Sequence, residues 1–203
     1  MIGPELTLQL IVVRFLAGVI IATVQGAAIA AVTVLLGDKG PRYDGRLTLS
    51  PAAHVDLLGL GSLMLTGFGW SKPVTVDPGQ MRVGPWVLPL AGSAALLLLG
   101  WLVLFLVIPA LTILPHTQAL LVGAFLRSLA QLCVWMALFT LLPAPPLVGA
   151  HFLAALNIRL PARASLIIGL LLVVLSIVGV TRAILAPAYQ LVAPLVVGAE
   201  LGR

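Results

Sequence analysis

Long apolar runs alternate with short polar passages along this chain. Four runs are long enough to predict membrane-spanning helices, each needing about 20 apolar residues: 7–36, 84–109, 118–142 and 165–186. The tail from 187 to 203 contains Pro187 and Pro194, so we expect it to lie against the protein or along the membrane interface.

A shorter apolar run, 54–70, stands between two polar loops and is weakened as a helix by four glycines. Within the loop before it, 46–49 is a candidate for a short strand. Basic residues occupy both of these loops and the loop before 165, namely Lys39, Arg42, Arg46, Lys72, Arg82, Arg159 and Arg163. The loop at 110–117 has no formal charge. The positive-inside rule therefore favours a re-entrant hairpin at 54–70, an external N-terminus and a cytoplasmic 37–83, although 17 residues could just span.

Composition agrees with this pattern. The chain is 61% hydrophobic and 8% charged, with a mean hydropathy of +1.20, whereas soluble domains are roughly a quarter charged. We therefore predict an all-α integral membrane protein, a single polytopic domain over 1–203. It should be a bundle of about four to five transmembrane helices with a re-entrant or short apolar hairpin. The net charge of +5 is interpreted as a topology signal and not as a nucleic-acid surface.

Two features of the spans suggest helix contacts or partners. A stripe of small residues recurs every fourth position on the first span and would admit either an internal neighbour or another subunit: Gly18, Ala22, Gly26 and Ala30. Arg14, Arg127 and Arg182 lie within spans that contain no carboxylate. Snorkelling to lipid phosphates is the simplest explanation for Arg14 and Arg182. Arg127, with Gln131 one turn later, favours an acidic or carbonyl group of a partner.

Three polar blocks together resemble the bacterial site-2 protease (M50) family of intramembrane zinc metalloproteases. They are LGDKGPRYDGRLTLSPAAHVD (36–56), GFGWSKPVTVDP (67–78) and LLPAPPLVGAHFL (141–153). The resemblance covers about 20–155, and the helices of 165–203 lie beyond it. It implies a transmembrane helix bundle with an active site inside the membrane, near the cytosolic side.

The chemistry that the resemblance implies is missing from the matching positions. The family's HExxH, two histidine ligands and a glutamate base on one helix face, falls on Gln25, Gly26 and Ile29, and its aspartate ligand falls on Val148. Two positions where the family often carries asparagine read Thr140 and Leu96. Zinc needs about three protein ligands, so the resemblance implies a degenerate member with no metal, no catalytic residue and no cofactor. The chain's only histidines are better explained as loop anchors than as ligands: His54, His116 and His151.

The leading hypothesis is a catalytically inactive scaffold or accessory subunit of a larger membrane complex. Its partners would be other integral membrane subunits and lipids, with no nucleic acid, in the bacterial cytoplasmic membrane. One alternative is a regulator that binds single transmembrane helices without cleaving them. Another is an intramembrane metalloprotease with unconventional ligands.

Overall fold

The computed structural model describes residues 6–156, 158 and 161–198, and these form an all-helical bundle. In chain order the helices are α1 (Leu8–Leu35), α2 (Gly40–Tyr43), α3 (Pro51–His54), α4 (Leu57–Thr66), α5 (Val87–Leu104), α6 (Val107–Ile113), α7 (His116–Phe139), α8 (Ala150–Ala155), α9 (Ala162–Ile177) and α10 (Val180–Val197). Four stretches are long and apolar enough to cross a membrane: α1, α5 with α6, α7 and α10. The predicted fold class is confirmed. Glu5, Arg159 and Glu200 lie outside the described residues.

The first span begins and ends close to its predicted limits. The Thr7 hydroxyl accepts a hydrogen bond from the backbone N–H of Leu10 at 3.2 Å, which caps α1. The helix stops before Gly37, whose φ of +119° lies in a region that favours glycine. A Cβ at Gly37 would also stand 2.6 Å from the backbone oxygen of Gln80. The chain therefore turns sharply where the apolar run ends.

The run 54–70 enters the bundle and returns on the same side. Asp56 caps α4 by accepting from the N–H of Gly59 at 2.8 Å, and α4 ends at Gly67, whose φ is +86°. The following extended segment runs back until Ser71 forms an antiparallel bridge with Val55. Both ends of the run thus lie side by side, as the re-entrant hairpin requires. The glycines that weakened the helix prediction let the two arms of the hairpin touch, since Gly69 packs on the backbone oxygen of Gly59.

The predicted strand at 46–49 is wrong, because these residues form bends. The Arg46 side chain turns inward and donates to the backbone oxygens of Lys72, at 2.9 Å, and Pro73. The backbone oxygen of Thr48 is bonded to the His54 ring at 2.8 Å. Side chains therefore fix this loop in place of a strand partner. Burial lowers the pKa of Arg46, opposed by the nearby Asp44 carboxylate.

The prediction for the C-terminal region is wrong in the bounds of its last span. A single span was expected at 165–186, but α9 ends at Ile177 and the chain turns at Gly179, whose φ is +85°. The tail, which was expected to lie against the protein or along the interface, forms α10, an 18-residue helix that contains Pro187 and Pro194 and packs against the protein core. Helical prolines are tolerated in membranes because neighbouring groups satisfy the freed carbonyls.

Aromatic side chains join the hairpin to the C-terminal helices in the core. Phe68, just past the hairpin tip, packs edge-on against Trp135 of α7 with ring centroids 5.7 Å apart. On its other side Trp135 stacks on Tyr189 of α10 at 4.0 Å. These rings belong to the main hydrophobic core, to which α1, α5 and α7 also contribute. The hairpin is therefore a packed part of the bundle.

Candidate functional site

The positions that match the family's metal ligands lie together in the folded chain. Gln25 and Ile29 are one turn apart on α1, and both are essentially inaccessible. Val148, in the turn before α8, packs onto the same small cluster as Ile29, with Val74 and Leu88 completing it. Sequence positions more than a hundred residues apart thus converge where the resemblance places an active site.

The proline-rich turn that carries Val148 is held against the end of α7. The N–H of Gly149 donates to the backbone oxygen of Thr140 at 2.9 Å. Gly149 also approaches the Leu142 carbonyl so closely that no Cβ could be accommodated. Thr140, in a position where the family often carries asparagine, shares the backbone oxygen of Ala137 with Ser93, at 3.2 and 2.7 Å. Leu96, at the other such position, is wholly buried in the core.

His54 fills the space beside the position that matches the catalytic glutamate. Its ring lies on Gly26, so that a Cβ there would stand 2.5 Å from Nδ1 and 3.0 Å from the His54 Cβ. The ring is fully buried, and its Nε2 donates to the backbone oxygen of Thr48 at 2.8 Å. A glutamate side chain at position 26 would therefore collide with this histidine. The sequence pattern indicated a loop anchor at His54 and did not predict its contact with α1, although glycine in the middle of a membrane span is typical of a close approach.

The surroundings of His54 favour its neutral form. Burial lowers its pKa, and the positive charge of Arg46 lowers it further, while the bond to Thr48 acts in the opposite direction. With Nε2 donating, Nδ1 is an acceptor, and it has no hydrogen-bond partner among the described residues. The ring thus acts as a packing group with one bond.

The side chain of Gln25 is hydrogen-bonded to the base of the hairpin. The Ser71 hydroxyl donates to Gln25 Oε1 at 3.3 Å, and Gln25 Nε2 has no partner within the described part of the chain. Ser71 is the residue that bridges to Val55. Gln25 therefore ties α1 to the hairpin where the family would place its first histidine ligand.

A small pocket, with a cavity volume of about 30 Å³, opens over these positions. Its wall includes Ile29 and Val148, together with the hairpin residues Ser71 and Lys72 and the side chain of His151. Burial lowers the pKa of His151. The pocket is thus lined mainly by apolar residues, and Ser71, Lys72 and His151 are the polar residues among them.

These residues do not fit zinc. Ile29 and Val148 offer only hydrocarbon, and the oxygen of Gln25 is engaged by Ser71. His54 points its ring at α1, His151 lines the pocket, and His116 is exposed at the start of α7. Across residues 6–156, 158 and 161–198, no three histidine, cysteine, aspartate or glutamate side chains are grouped to hold a metal ion. A tetrahedral zinc site needs about three such ligands in one place.

The stripe of small residues is buried inside this chain. Gly18 faces Leu60 and Leu63 of α4, and Gly26 faces His54. Ala22 and Ala30 are also buried. Gly18 and Gly26 therefore face residues of the run 54–70 in the same chain.

The arginines within the spans have different surroundings. Arg14 is buried and donates from Nη1 to the backbone oxygens of Met64 and Leu65, at 3.2 and 2.8 Å, which ties α1 to the end of α4. Arg182 is exposed and lies over the ring of Trp135, 5.1 Å from its centroid. Arg127 is exposed on α7, and Gln131 is half-buried one turn later. The sequence missed the contact of Arg14, because a helix end with open carbonyls could be placed beside it only in three dimensions.

Comparison with known proteins gives one informative similarity. The chain is 32% identical over 138 residues to the Bacillus subtilis protein named "Putative zinc metalloprotease YwhC". The aligned region is 63% of this chain, and it spans about 61% of the length of that relative. No family model matches the chain, and no solved structure matches it.

Proposed function

We propose that this chain is a catalytically inactive membrane protein of the site-2-protease type, acting as a scaffold or accessory subunit of a larger complex in the bacterial cytoplasmic membrane. The similarity to a protein named as a metalloprotease supports the site-2-protease type. The same similarity, on its name alone, favours proteolysis, so the proposal of lost activity depends on the residues at the site.

One observation carries the proposed loss of activity: the positions for both the ligands and the base are filled by packing. Ile29 and Val148 meet in a hydrocarbon cluster, and His54 occupies the side-chain space at Gly26. Apolar packing is favourable in a membrane, where an unsatisfied polar group costs several kcal/mol. A chain without a metal gains stability from such replacements, and it lacks the metal-bound water that hydrolysis would use.

The proposed partner surface is the exposed side of α7 around Arg127. A charged residue in a membrane span usually faces protein or water and is paired. Among the described residues no acidic group lies beside Arg127, since the aspartates of this chain lie in the loops from 38 to 77. Gln131 lies one turn further along the same helix. We expect a carboxylate or free carbonyl of another membrane subunit to meet Arg127.

This interface is tested by replacing Arg127 with leucine in the full chain. We expect unchanged or slightly higher thermal stability of the purified protein, because a poorly solvated charge is removed. Co-purification of native membrane partners in mild detergent should fall, with native mass spectrometry identifying the subunits lost. Arg163→Leu on α9 is a matched control that removes an exposed arginine elsewhere. Equal co-purification of wild type and Arg127→Leu would refute an interface on this side of α7.

A second candidate function is the non-cleaving regulator, and the pocket is the observation that favours it. The pocket lies between α1, the extended hairpin segment at Ser71–Val74 and the turn at Val148. A transmembrane segment of another protein could place an apolar side chain in this pocket, against Ile29 and Val148. Photo-crosslinking from a probe placed at Lys72 separates the hypotheses. Crosslinks to single-span proteins would favour the regulator, and their absence beside a stable complex would favour the scaffold.

A further inference from the structure

Two arginines from different spans lie near each other beside the tip of the hairpin. The guanidinium of Arg14 lies against Gly67, at 3.6–3.8 Å from where a Cβ would stand. The next residue, Phe68, contacts Trp135, and Arg182 covers the same indole. The fold therefore concentrates two positive charges at one place.

Nothing in the described part of the chain neutralises this pair. Arg14 uses Nη1 for two carbonyls, which carry only partial charge, and no hydrogen bond is made by its Nε or Nη2. Arg182 contacts an aromatic ring. It also lies in the first turn of α10, which has no side-chain cap and no acidic residue. The positive end of a helix dipole disfavours a cation and favours an anion, so each feature of the site calls for negative charge.

The depth of Arg14 in the membrane allows its side chain to reach a lipid phosphate. A 28-residue helix is roughly 42 Å long at 1.5 Å per residue, whereas the hydrocarbon core of a bilayer is about 30 Å thick. If α1 is centred, roughly 6 Å protrudes at each end. Arg14, about 9 Å from the start of the helix, then lies only about 3 Å inside the hydrocarbon boundary. An arginine reaches that boundary easily.

The surroundings of Arg182 suit acyl chains. Val178, Val180 and Ile184 flank it and are all exposed. A free inorganic anion would gain nothing from such a surface, but the tails of a phospholipid would cover it. Arginine also matches phosphate well, since its planar fork can donate two parallel hydrogen bonds.

We propose that Arg14 and Arg182 form a binding site for the phosphate of one anionic phospholipid, at the tip of the re-entrant hairpin. The phosphate accepts hydrogen bonds from both guanidinium groups, and the acyl chains lie along the exposed side of α10. The lipid thereby joins α1, the hairpin and α10. This site does not depend on the proposed loss of catalysis or on the surface around Arg127.

The test uses the full chain in neutral detergent, with native mass spectrometry after addition of phosphatidylglycerol. Diacylglycerol with the same acyl chains lacks the phosphate, and inorganic phosphate lacks the chains. We expect one retained phosphatidylglycerol per chain and no comparable retention of diacylglycerol. Arg182→Gln should weaken retention by roughly tenfold, the effect of losing a charge-assisted hydrogen bond. Arg127→Gln is the matched control, an exposed span arginine outside the pair, and should retain the lipid.

The variant Arg182→Lys keeps the charge and should retain most of the binding, even if Arg182→Gln folds poorly. Equal retention in wild type and Arg182→Gln, or equal loss in Arg127→Gln, would overturn the site. Retention of diacylglycerol as strong as that of phosphatidylglycerol would show binding by acyl chains alone and would also overturn it. If inorganic phosphate displaced the phospholipid completely, the ligand of this site would be a free anion and not a lipid. If no lipid were retained and a protein co-purified in a way that depended on Arg182, the ligand would be a carboxylate of a partner protein and not a lipid.

Discussion

The contact between His54 and Gly26 can be tested by adding a single methyl group to α1. In Gly26→Ala the new Cβ would lie 2.5 Å from His54 Nδ1, 2.9 Å from Cγ and 3.0 Å from the His54 Cβ. The ring cannot move away easily, because it is wholly buried and bonded to the backbone of Thr48. His54 or α1 must therefore shift to accept the methyl group.

The magnitude follows from two opposing effects. Glycine to alanine inside a helix normally stabilises by up to about 1 kcal/mol, whereas overpacking a filled interior costs about 1–3 kcal/mol. We expect a net loss of about 1–2 kcal/mol in the free energy of unfolding for Gly26→Ala. Gly61→Ala on α4 is the matched control, since a Cβ there meets nothing within 4 Å, and it should be neutral or stabilising.

The assay is reversible unfolding in mixed detergent micelles, followed by circular dichroism, with a double-mutant cycle. Gly26→Ala should destabilise the wild type but become neutral or stabilising when His54 is already alanine, because the clash has been removed. If Gly26→Ala stabilised the wild type as much as Gly61→Ala, then His54 would not lie on α1. The proposed blockage of the glutamate position would then be refuted.

Three further predictions concern topology, pH and the hairpin. In a cysteine-free background, cysteines introduced at Ser50 and Thr75 should be labelled from one side of the membrane, and a cysteine at Thr117 from the other. Labelling of positions 50 and 75 from opposite sides would refute the re-entrant hairpin. Folding lowers the pKa of His54, so the unfolded chain binds a proton at a higher pH than the folded chain does. The free energy of unfolding should therefore be highest above about pH 6.5 and fall as the pH drops below that value. The same pH dependence in His54→Asn would show that His54 is not its cause. Arg14→Met should lower the free energy of unfolding by about 2 kcal/mol, since two carbonyls at the end of α4 lose a charged donor. The hairpin should then be cleaved more readily by proteases, and equal cleavage of the variant and the wild type would argue against the contact.

Much of the bundle was predictable because hydrophobic length is a strong signal in membranes. The spans formed by α1, α5 and α7 follow from it, and the distribution of basic residues favoured the return of the hairpin at 54–70 over a crossing. The C-terminal region was not predictable in this way. A continuous apolar run gives no sign of the turn at Gly179, and Pro187 and Pro194 indicated a break where neighbouring helices in fact support α10.

The candidate site was predicted in part. The resemblance assigned Ile29 and Val148 to one site, and both residues belong to one hydrophobic cluster and line one pocket. It gave no indication that His54 would cover Gly26, because that contact depends on how α3 is set against α1. Nor could the sequence place the end of α4 beside Arg14, so the bonds from this arginine to the backbone oxygens of Met64 and Leu65 were not predicted. A contact between a side chain and the backbone of a distant residue produces no periodic pattern of residues in the sequence.

The proposed loss of catalysis is tested most directly by measuring metal and proteolysis on the same preparation. The full chain, purified without chelator after growth with added zinc, is analysed for metal content and incubated in liposomes with a single-span substrate. The account predicts well below one zinc per chain and no cleavage. A content of about one zinc per chain, lost on replacing His54 or His151 and accompanied by cleavage, would contradict it.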